Sequence, residues 1–249
     1  MSEHWYCAKT GAPRYTVIGK NGKPRPTTLR DAKAEPGTLV PSVSTINSQL
    51  AKNGLNTWFQ TEAIKAAMEN PKMLSEDKKD YVMRILDLSK SKSFEAAQRG
   101  TIIHDWIEAF YSQEYVPDMP EYVRKVDEAV TAHFGPQLWI PEQPLVNAQE
   151  GYGGKCDLYC KATHDFGGVV IDFKTTEKSP GELTPYLEHT LQLAAYREVL
   201  APSARCANVY INGETGEVAI YEHTEQDLRD GYEMFLSLLK IYRLKNKLN

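Results

Sequence analysis

The sequence predicts a mixed α/β fold, with a central β-sheet flanked by helices and preceded by a helical extension. Two observations lead to this fold class. Through the first half of the chain, apolar residues recur at three- and four-residue spacing, as in amphipathic helices. From Leu138 onward the pattern changes to short β-branched or alternating runs separated by turn residues, which is typical of strands. At 249 residues, the chain is long enough to bury a sizeable core.

The elements can be assigned in chain order. The N-terminal segment holds a predicted strand at 14–18, the turn 19–22 and a proline-rich continuation, after which Ser42 is expected to cap a helix that begins behind Pro41. Further helices are predicted at 56–69, 75–88, 94–111 and 121–134, and strands at 139–148, 155–162 and 169–175, the last after a turn at 165–168. A helix at 185–200, a hairpin of strands 207–212 and 217–223 around the turn 213–216, and a helix at 226–244 complete the chain.

Composition favours one globular domain over the whole chain. Hydrophobic residues make up 41% and charged residues 25%, which is ordinary for a soluble protein. No apolar run approaches the length of a membrane span, and the N-terminus lacks the pattern of a signal peptide, so we expect a cytoplasmic protein with no membrane partner. Within the domain we expect an N-terminal extension with helices at 1–98, a core at 99–200, and a C-terminal hairpin and helix at 201–249.

The strand predicted at 169–175 carries the most informative pair of side chains. Asp172 and Lys174 are two residues apart, so they project from the same face of the strand. Asp157 lies on the preceding predicted strand. Two carboxylates and an ammonium in this arrangement are a compact way to hold Mg²⁺ beside a general base or a group that stabilises charge. Taken alone, Asp172 and Lys174 are more often a solvated pair on a strand.

Four short motifs in a fixed order reduce that ambiguity. A helix carries G-x-x-x-H-x-x-x-E, two strands carry G-x-x-D and D-x-K, and a later helix carries Q-x-x-x-Y. In this order and spacing the chain resembles the PD-(D/E)XK nuclease superfamily, in particular its RecB-like and phage exonuclease branch. The residues that fill the motifs are Gly100, His104, Glu108, Gly154, Asp157, Asp172, Lys174, Gln192 and Tyr196. The resemblance covers about 41–196 and implies a restriction-endonuclease-like core.

The resemblance also implies roles for these residues. Asp157, Asp172, the carbonyl of Phe173 and His104 would bind Mg²⁺ or Mn²⁺, because carboxylate and carbonyl oxygens suit a hard cation and imidazole suits Mn²⁺ somewhat better. Lys174 would position or deprotonate the attacking water. The other predicted members of the site are Glu108 in a catalytic role and Gln192, Tyr196, Arg99 and Ser42 in contact with DNA.

Several of these assignments have a simpler alternative. Glu108 shares a helix face with His104 and could orient its neighbours without touching metal. Gln192 and Tyr196 could form the polar rim of an apolar helix, and Ser42 could serve only as a helix cap. Glu142 is a further acidic candidate, since relatives often place an acidic residue there.

Charge and cysteine content bear on partners and cofactors. The net charge of -4 disfavours broad nucleic-acid binding, so contacts with phosphate would have to come from local basic groups. These groups are Lys20, Lys23, Arg25 and Arg30; Arg99; Lys174 and Lys178; and Arg243, Lys245 and Lys247. Only Cys206 of the four cysteines follows Tyr196, so the pattern of the iron-sulfur relatives fails, and we expect free cysteines and no iron-sulfur cluster.

The sequence therefore predicts a Mg²⁺- or Mn²⁺-dependent DNA exonuclease of replication, recombination or repair, with a phage origin suggested by the resemblance. It would act on single- or double-stranded DNA that has an end, in the cytoplasm of the host cell if it is phage-encoded. A single-strand annealing or binding protein is a candidate partner. The alternatives are a structure-selective endonuclease and a non-catalytic DNA-binding or protein-interaction module that retained the fold.

Overall fold

The computed structural model describes residues 4–51, 53–114 and 117–248, apart from the side chains at 53, 55, 92 and 93. The chain divides into two compact units. The first unit comprises the residues up to Leu50 together with those from Trp106 onward, and the second unit comprises Ala51–Asp105.

The first unit is built on a five-stranded mixed sheet. Its strands are β5 (Trp139–Asn147), β6 (Tyr152–Cys160), β7 (Val169–Thr176), β8 (Arg205–Asn212) and β9 (Val218–Glu222), and they follow one another in this order across the sheet. Neighbouring strands are antiparallel except β7 and β8, which are parallel. The five predicted strands and the mixed α/β class are confirmed.

Helices cover both faces of this sheet. They are α5 (Glu121–Phe134), α6 (Leu187–Leu200) and α7 (Glu225–Asn246). Arg205 of β8 stacks over the Phe134 ring of α5 at 4.6 Å, while Tyr210 of β8 meets His189 of α6. Since alternate residues of a strand point to opposite faces, α5 and α6 lie on opposite sides of β8. This double cover explains why Val169–Ile171 is a continuous apolar run, fully buried at each position.

The N-terminal segment forms two small antiparallel sheets. One pairs β1 (Trp5–Cys7) with β4 (Leu39–Pro41), and the other pairs β2 (Thr16–Ile18) with β3 (Pro24–Pro26). The strand predicted at 14–18 is therefore shorter than expected, and its partner lies in the proline-rich continuation that showed no strand pattern. Both prolines of β3 lie in a two-stranded sheet, in which each strand is an edge strand, so the missing N–H of proline is tolerated.

Two short helices flank β4. They are α1 (Leu29–Ala34) and α2 (Val43–Asn47). The predicted cap at Ser42 is confirmed, because the backbone N–H of Thr45 donates to the Ser42 hydroxyl at 3.0 Å. A 3₁₀ turn at Pro180–Glu182 lies between β7 and α6.

The second unit is helical. It contains α3 (Asn53–Glu69) and the part of α4 (Lys78–Tyr111) that extends to Asp105. The Tyr81 hydroxyl of α4 donates to the Ala67 carbonyl of α3 at 3.3 Å. This hydrogen bond joins the two helices within the unit.

The prediction of separate helices at 75–88 and 94–111 was wrong, because α4 runs without a break from Lys78 to Tyr111. Residues 89–93, between the two predicted helices, alternate serine and lysine. The hydroxyls of Ser89 and Ser91 donate to the carbonyls of Leu86 and Leu88, one turn earlier, so these serines are accommodated within the helix. No helix of the described part of the chain is long and apolar enough to cross a membrane.

Candidate active site

Asp172 and Lys174 meet on the face of β7 that α6 covers. The Lys174 Nζ lies 2.7 Å from Asp172 Oδ2. The Asp172 side chain is only 2% exposed and the Lys174 side chain is 24% exposed, so this is not the solvated pair of an open sheet. The same-face arrangement predicted from their spacing is present.

Asp157 reaches the same part of the sheet from β6. The β6–β7 ladder includes the pair Leu158–Ile171, which places Asp157 beside Asp172 on the neighbouring strand. The backbone N–H of Phe173 donates to Asp157 Oδ2 at 2.8 Å. This bond fixes the Asp157 carboxylate against the backbone between Asp172 and Lys174.

Gln192 of α6 connects the two charged groups of β7. Its amide nitrogen donates to Asp172 Oδ1 at 2.8 Å and to the Tyr196 hydroxyl at 3.1 Å, and its amide oxygen accepts from Lys174 Nζ at 3.3 Å. The Q-x-x-x-Y pair is therefore part of the polar cluster, and the alternative of a mere polar rim does not describe Gln192.

Asn208 is a member of the cluster that the sequence analysis missed. It lies opposite Asp172 in the parallel β7–β8 pair, is fully buried, and donates to Asp172 Oδ2 at 2.9 Å. Its amide oxygen lies 2.8 Å from Nε2 of buried His223. Because that oxygen can only accept, His223 Nε2 carries the proton. A polar residue inside the apolar run of β8 was the available signal.

His189 and Tyr210 form a second polar contact next to Lys174. Tyr210 is the β8 partner of Lys174, and its hydroxyl shares a 2.9 Å hydrogen bond with His189 Nδ1. Burial, followed by the charge of Lys174, lowers the pKa of His189 to about 4. His189 is therefore neutral at physiological pH.

The charge state of Lys174 follows from its surroundings. Burial alone would lower its pKa, but the carboxylates of Asp172 and then Asp157 outweigh burial and raise the pKa above its ordinary value. The ammonium is thus protonated at neutral pH. In this state Lys174 can donate hydrogen bonds and offset negative charge, but it cannot accept a proton.

Two glycines allow aromatic rings to pack close to Asp157. A Cβ at Gly154 would lie 2.5 Å from Cε1 of Tyr196, and a Cβ at Gly153 would lie 2.7 Å from Cβ of Tyr6. The glycine of the G-x-x-D motif therefore has a steric cause: the ring of Tyr196 occupies the space where its side chain would be.

The carboxylates offer a partial donor set for a divalent cation. A carboxylate has about four lone-pair positions, and Asp172 accepts side-chain bonds from Lys174, Gln192 and Asn208, which leaves room for one further partner. Asp157 adds a second hard oxygen donor, so this pair fits Mg²⁺ or Mn²⁺. Within the described residues, no group of three or more His, Cys, Asp or Glu lies close enough together to hold a metal.

The first unit does not bring the other predicted site residues into this cluster. His104 and Arg99 belong to the second unit, and Glu108 is an exposed residue of the first unit. Ser42 is 2% exposed and its hydroxyl is engaged as the cap of α2. The metal-binding role of His104 and the DNA-binding roles of Arg99 and Ser42 remain predictions.

Glu142 has a local partner on the adjacent strand. It lies in β5 with a positive φ of 51°, and its carboxylate forms an ion pair with Lys155 of β6. The pairs on either side of it, Pro141–Leu158 and Gln143–Cys156, place Glu142 across from Asp157. An acidic side chain is therefore close in register to the carboxylate pair, and Lys155 offsets its charge.

Comparison with known proteins gave little further information. No family model and no curated protein matches the chain. Among the solved structures that match, the crystal structure of SSO0001 aligns over 72% of this chain and 85% of its own chain, with 17% sequence identity and a TM-score of 0.31. A similarity of this size supports no conclusion about fold family or activity.

Proposed function

We propose that this chain is a divalent-metal-dependent DNA exonuclease with a PD-(D/E)XK-type active site. The observation that supports this most is the shared environment of Asp172. One buried carboxylate contacts Lys174 and Gln192, while Asp157 lies beside it on the neighbouring strand. A structural ion pair would need neither the second carboxylate nor an amide that joins the acid to the lysine.

Each group has a place in phosphodiester hydrolysis. Asp157 and Asp172 would hold the cation, with the Phe173 carbonyl and His104 as further predicted ligands. Mg²⁺ or Mn²⁺ bound there would lower the pKa of a bound water and polarise the phosphodiester. Protonated Lys174 would orient the water and offset the charge that develops on the phosphate oxygens. Gln192 holds Lys174 against Asp172 and keeps the ammonium directed.

The requirement for a DNA end distinguishes the exonuclease from its alternatives. The purified protein should be incubated with labelled linear and covalently closed DNA, each single- and double-stranded, with Mg²⁺, with Mn²⁺ and with EDTA. We expect linear DNA to be degraded to short products with either metal, and closed circles to survive. EDTA should abolish cleavage.

Two variants connect this cleavage to the cluster. Lys174→Ala should retain DNA binding and lose cleavage by roughly 10²-fold or more. Asp172→Asn should lose cleavage and most of the thermal stabilisation by Mn²⁺, since a cation that binds only the folded state stabilises it. Cutting of closed circles would favour the endonuclease alternative. DNA binding without cleavage under any metal condition would favour the binding module.

A further inference from the structure

Residues 14–34, which we call the basic arm, concentrate positive charge in an acidic protein. The arm contains six basic side chains and one acidic side chain, although the chain as a whole has a net charge of -4. The basic residues are all exposed: Arg14, Lys20, Lys23, Arg25, Arg30 and Lys33. The acidic residue, Asp31, is bound by both terminal nitrogens of Arg25 at 2.7 and 2.6 Å. The charge of the other five is not offset within the arm.

The base of the arm is anchored beside the carboxylate cluster. The Tyr15 hydroxyl shares a 2.9 Å hydrogen bond with the Tyr6 hydroxyl. Tyr6 in turn packs on the backbone of β6, because a Cβ at Gly153 would lie 2.7 Å from Tyr6 Cβ. Gly153 is on the same strand as Asp157. Tyr6 thus links Tyr15 of the arm to β6, the strand that carries Asp157.

The backbone of the arm is ordered, because residues 14–27 form a hairpin and α1 follows it. The N–H of Arg14 donates to the Trp5 carbonyl at 2.8 Å, and the N–H of Thr27 donates to the Tyr15 carbonyl at 2.9 Å. Beyond these bonds, β2 and β3 pair through Val17 and Arg25. The arm therefore presents Lys20 and Lys23 from a supported hairpin, and Arg30 and Lys33 from α1.

The length of the arm sets its reach. From Tyr15 to the turn at Gly22 the hairpin extends roughly 20 Å at the rise of an extended strand. In duplex DNA the phosphates of one strand advance about 3.4 Å along the helix axis for each nucleotide, so a hairpin of this length that lies along the axis would span about six nucleotides. Lys20 and Lys23 lie in or next to the turn of this hairpin and both are exposed, so their ammonium groups are available to phosphates.

We propose that the basic arm binds the phosphate backbone of DNA over about six nucleotides beside the cleaved position. This inference rests on the proposed function and adds to it the surface that holds the substrate. The contacts are electrostatic and independent of sequence, so they set affinity and its dependence on salt. They do not take part in bond breakage.

A triple variant tests the arm without disturbing its fold. Lys20→Ala, Lys23→Ala and Arg30→Ala are combined, while Arg25 is kept because it pairs with Asp31. The matched control combines Arg124→Ala, Lys161→Ala and Lys240→Ala, three exposed basic residues elsewhere in the first unit. Binding to a blunt labelled duplex is measured by fluorescence anisotropy in EDTA over a series of KCl concentrations.

The arm variant should bind more weakly, and its plot of log Kd against log [KCl] should be shallower by about 0.9 for each phosphate that the variant no longer neutralises. The control triple should keep both the affinity and the slope of the parent protein. Equal weakening in both triples or an unchanged slope in the arm variant would overturn the proposal. If the parent protein binds and cuts DNA and the arm variant behaves like the parent, the role of the arm is rejected and the proposed function is retained. A parent protein that never binds DNA rejects the proposed function as well.

Discussion

Asp172 illustrates how one residue is fixed by its surroundings. An ionised carboxylate is costly to bury unless it is paired and hydrogen-bonded. Here the donors come from three different elements: Lys174 from β7 itself, Gln192 from α6 and Asn208 from β8. The orientation of the carboxylate is consequently determined by the packing of the helix and both strands.

Asn208 should affect activity through Asp172. Asn208→Ala removes one donor from the carboxylate and leaves the His223 N–H without its acceptor, so we expect a loss of about 1 to 3 kcal/mol in unfolding free energy. If Asp172 binds the cation as proposed, support of this kind is worth about 10- to 100-fold in activity, and kcat should fall accordingly. Urea unfolding and steady-state cleavage of linear DNA measure the two effects.

Asn212 provides the control, because it lies four residues further along β8 and is also buried, yet donates to the Lys178 carbonyl. Asn212→Ala should lower stability while kcat stays near that of the parent. His223→Phe should reduce kcat in the same direction as Asn208→Ala, and the double variant should be less than additive. Equal losses of kcat in Asn208→Ala and Asn212→Ala would show that Asn208 has only a structural role.

At the scale of single residues, the sequence predicted only part of the polar cluster around Asp172. The spacing of Asp172 and Lys174 on a strand was sufficient to place them together, because the side-chain period of a strand is fixed. Gln192 required the motif resemblance, since nothing local links it to β7. Asn208 meets Asp172 only through the parallel register of β7 and β8, which a single sequence does not specify. His223 follows β9 and reaches the cluster through Asn208.

At the scale of elements, α6 packs on β6 through the close contact between Tyr196 and Gly154 and through hydrogen bonds from the hydroxyls of Tyr152 and Tyr159 to helix carbonyls. The Tyr196 ring lies where a Cβ at Gly154 would be, and the same helix carries Gln192 to Asp172. A shift of α6 away from β6 would therefore also move Gln192. The packing of helix on sheet and the geometry of the polar cluster are coupled through this glycine.

Gly154→Ala should separate α6 from β6. The added methyl would be 2.5 Å from Tyr196 Cε1, so the helix or the ring must move. We expect a loss of about 1 to 3 kcal/mol in stability, as for other overpacked sites, and lower kcat from a displaced Gln192. Thermal unfolding and cleavage assays provide the measurements.

Tyr196→Leu in the Gly154→Ala background removes the clashing ring atoms and should restore part of the lost stability. As a control, Gly181→Ala adds a methyl where no atom lies within 4 Å and should leave stability near that of the parent. If the Gly154→Ala protein is as stable and active as the parent, the packing of α6 on β6 and the geometry of the polar cluster are not coupled.

Element types were predictable from sequence more readily than element ends. The helix at Glu121–Phe134 matched its prediction because its apolar residues Val123, Val126 and Val130 follow the helical period and all face the core. The break predicted within α4 arose from polar residues whose hydroxyls bond within the helix. The proline-rich partner of β2 was missed because proline is ordinarily evidence against a strand.

At the scale of the whole molecule, buried histidines should make stability fall in mild acid. Burial lowers the pKa values of His189 and His223, and that of His189 reaches about 4. Each neutral histidine must gain a proton on unfolding when the pH is below about 6.5. Their contribution to stability is therefore complete above that pH and is lost as the pH falls toward their folded-state pKa values.

Carboxylates behave differently over the same range. Arg205 first, and His133 as well, lower the pKa of Glu222 to about 2. Its pairing thus stabilises the fold at pH values above the ordinary glutamate pKa and is lost only as the pH falls toward 2. Between pH 7 and pH 5 the Glu222 carboxylate remains ionised, so the buried histidines should determine the change in stability over that interval.

Replacing His189 should remove a defined part of this acid sensitivity. With a pKa near 6.5 in the unfolded chain and about 4 in the folded chain, His189 lowers the unfolding free energy by roughly 2 kcal/mol between pH 7 and pH 5. His189→Gln keeps a polar group beside Tyr210 and does not titrate, so its loss of stability over this interval should be smaller by that amount. Urea unfolding at pH 7, 6 and 5 measures the difference, and His164→Gln is the control because the His164 side chain is 97% exposed. If the His189→Gln protein loses as much stability as the parent between pH 7 and pH 5, His189 is not the buried neutral group that its surroundings indicate.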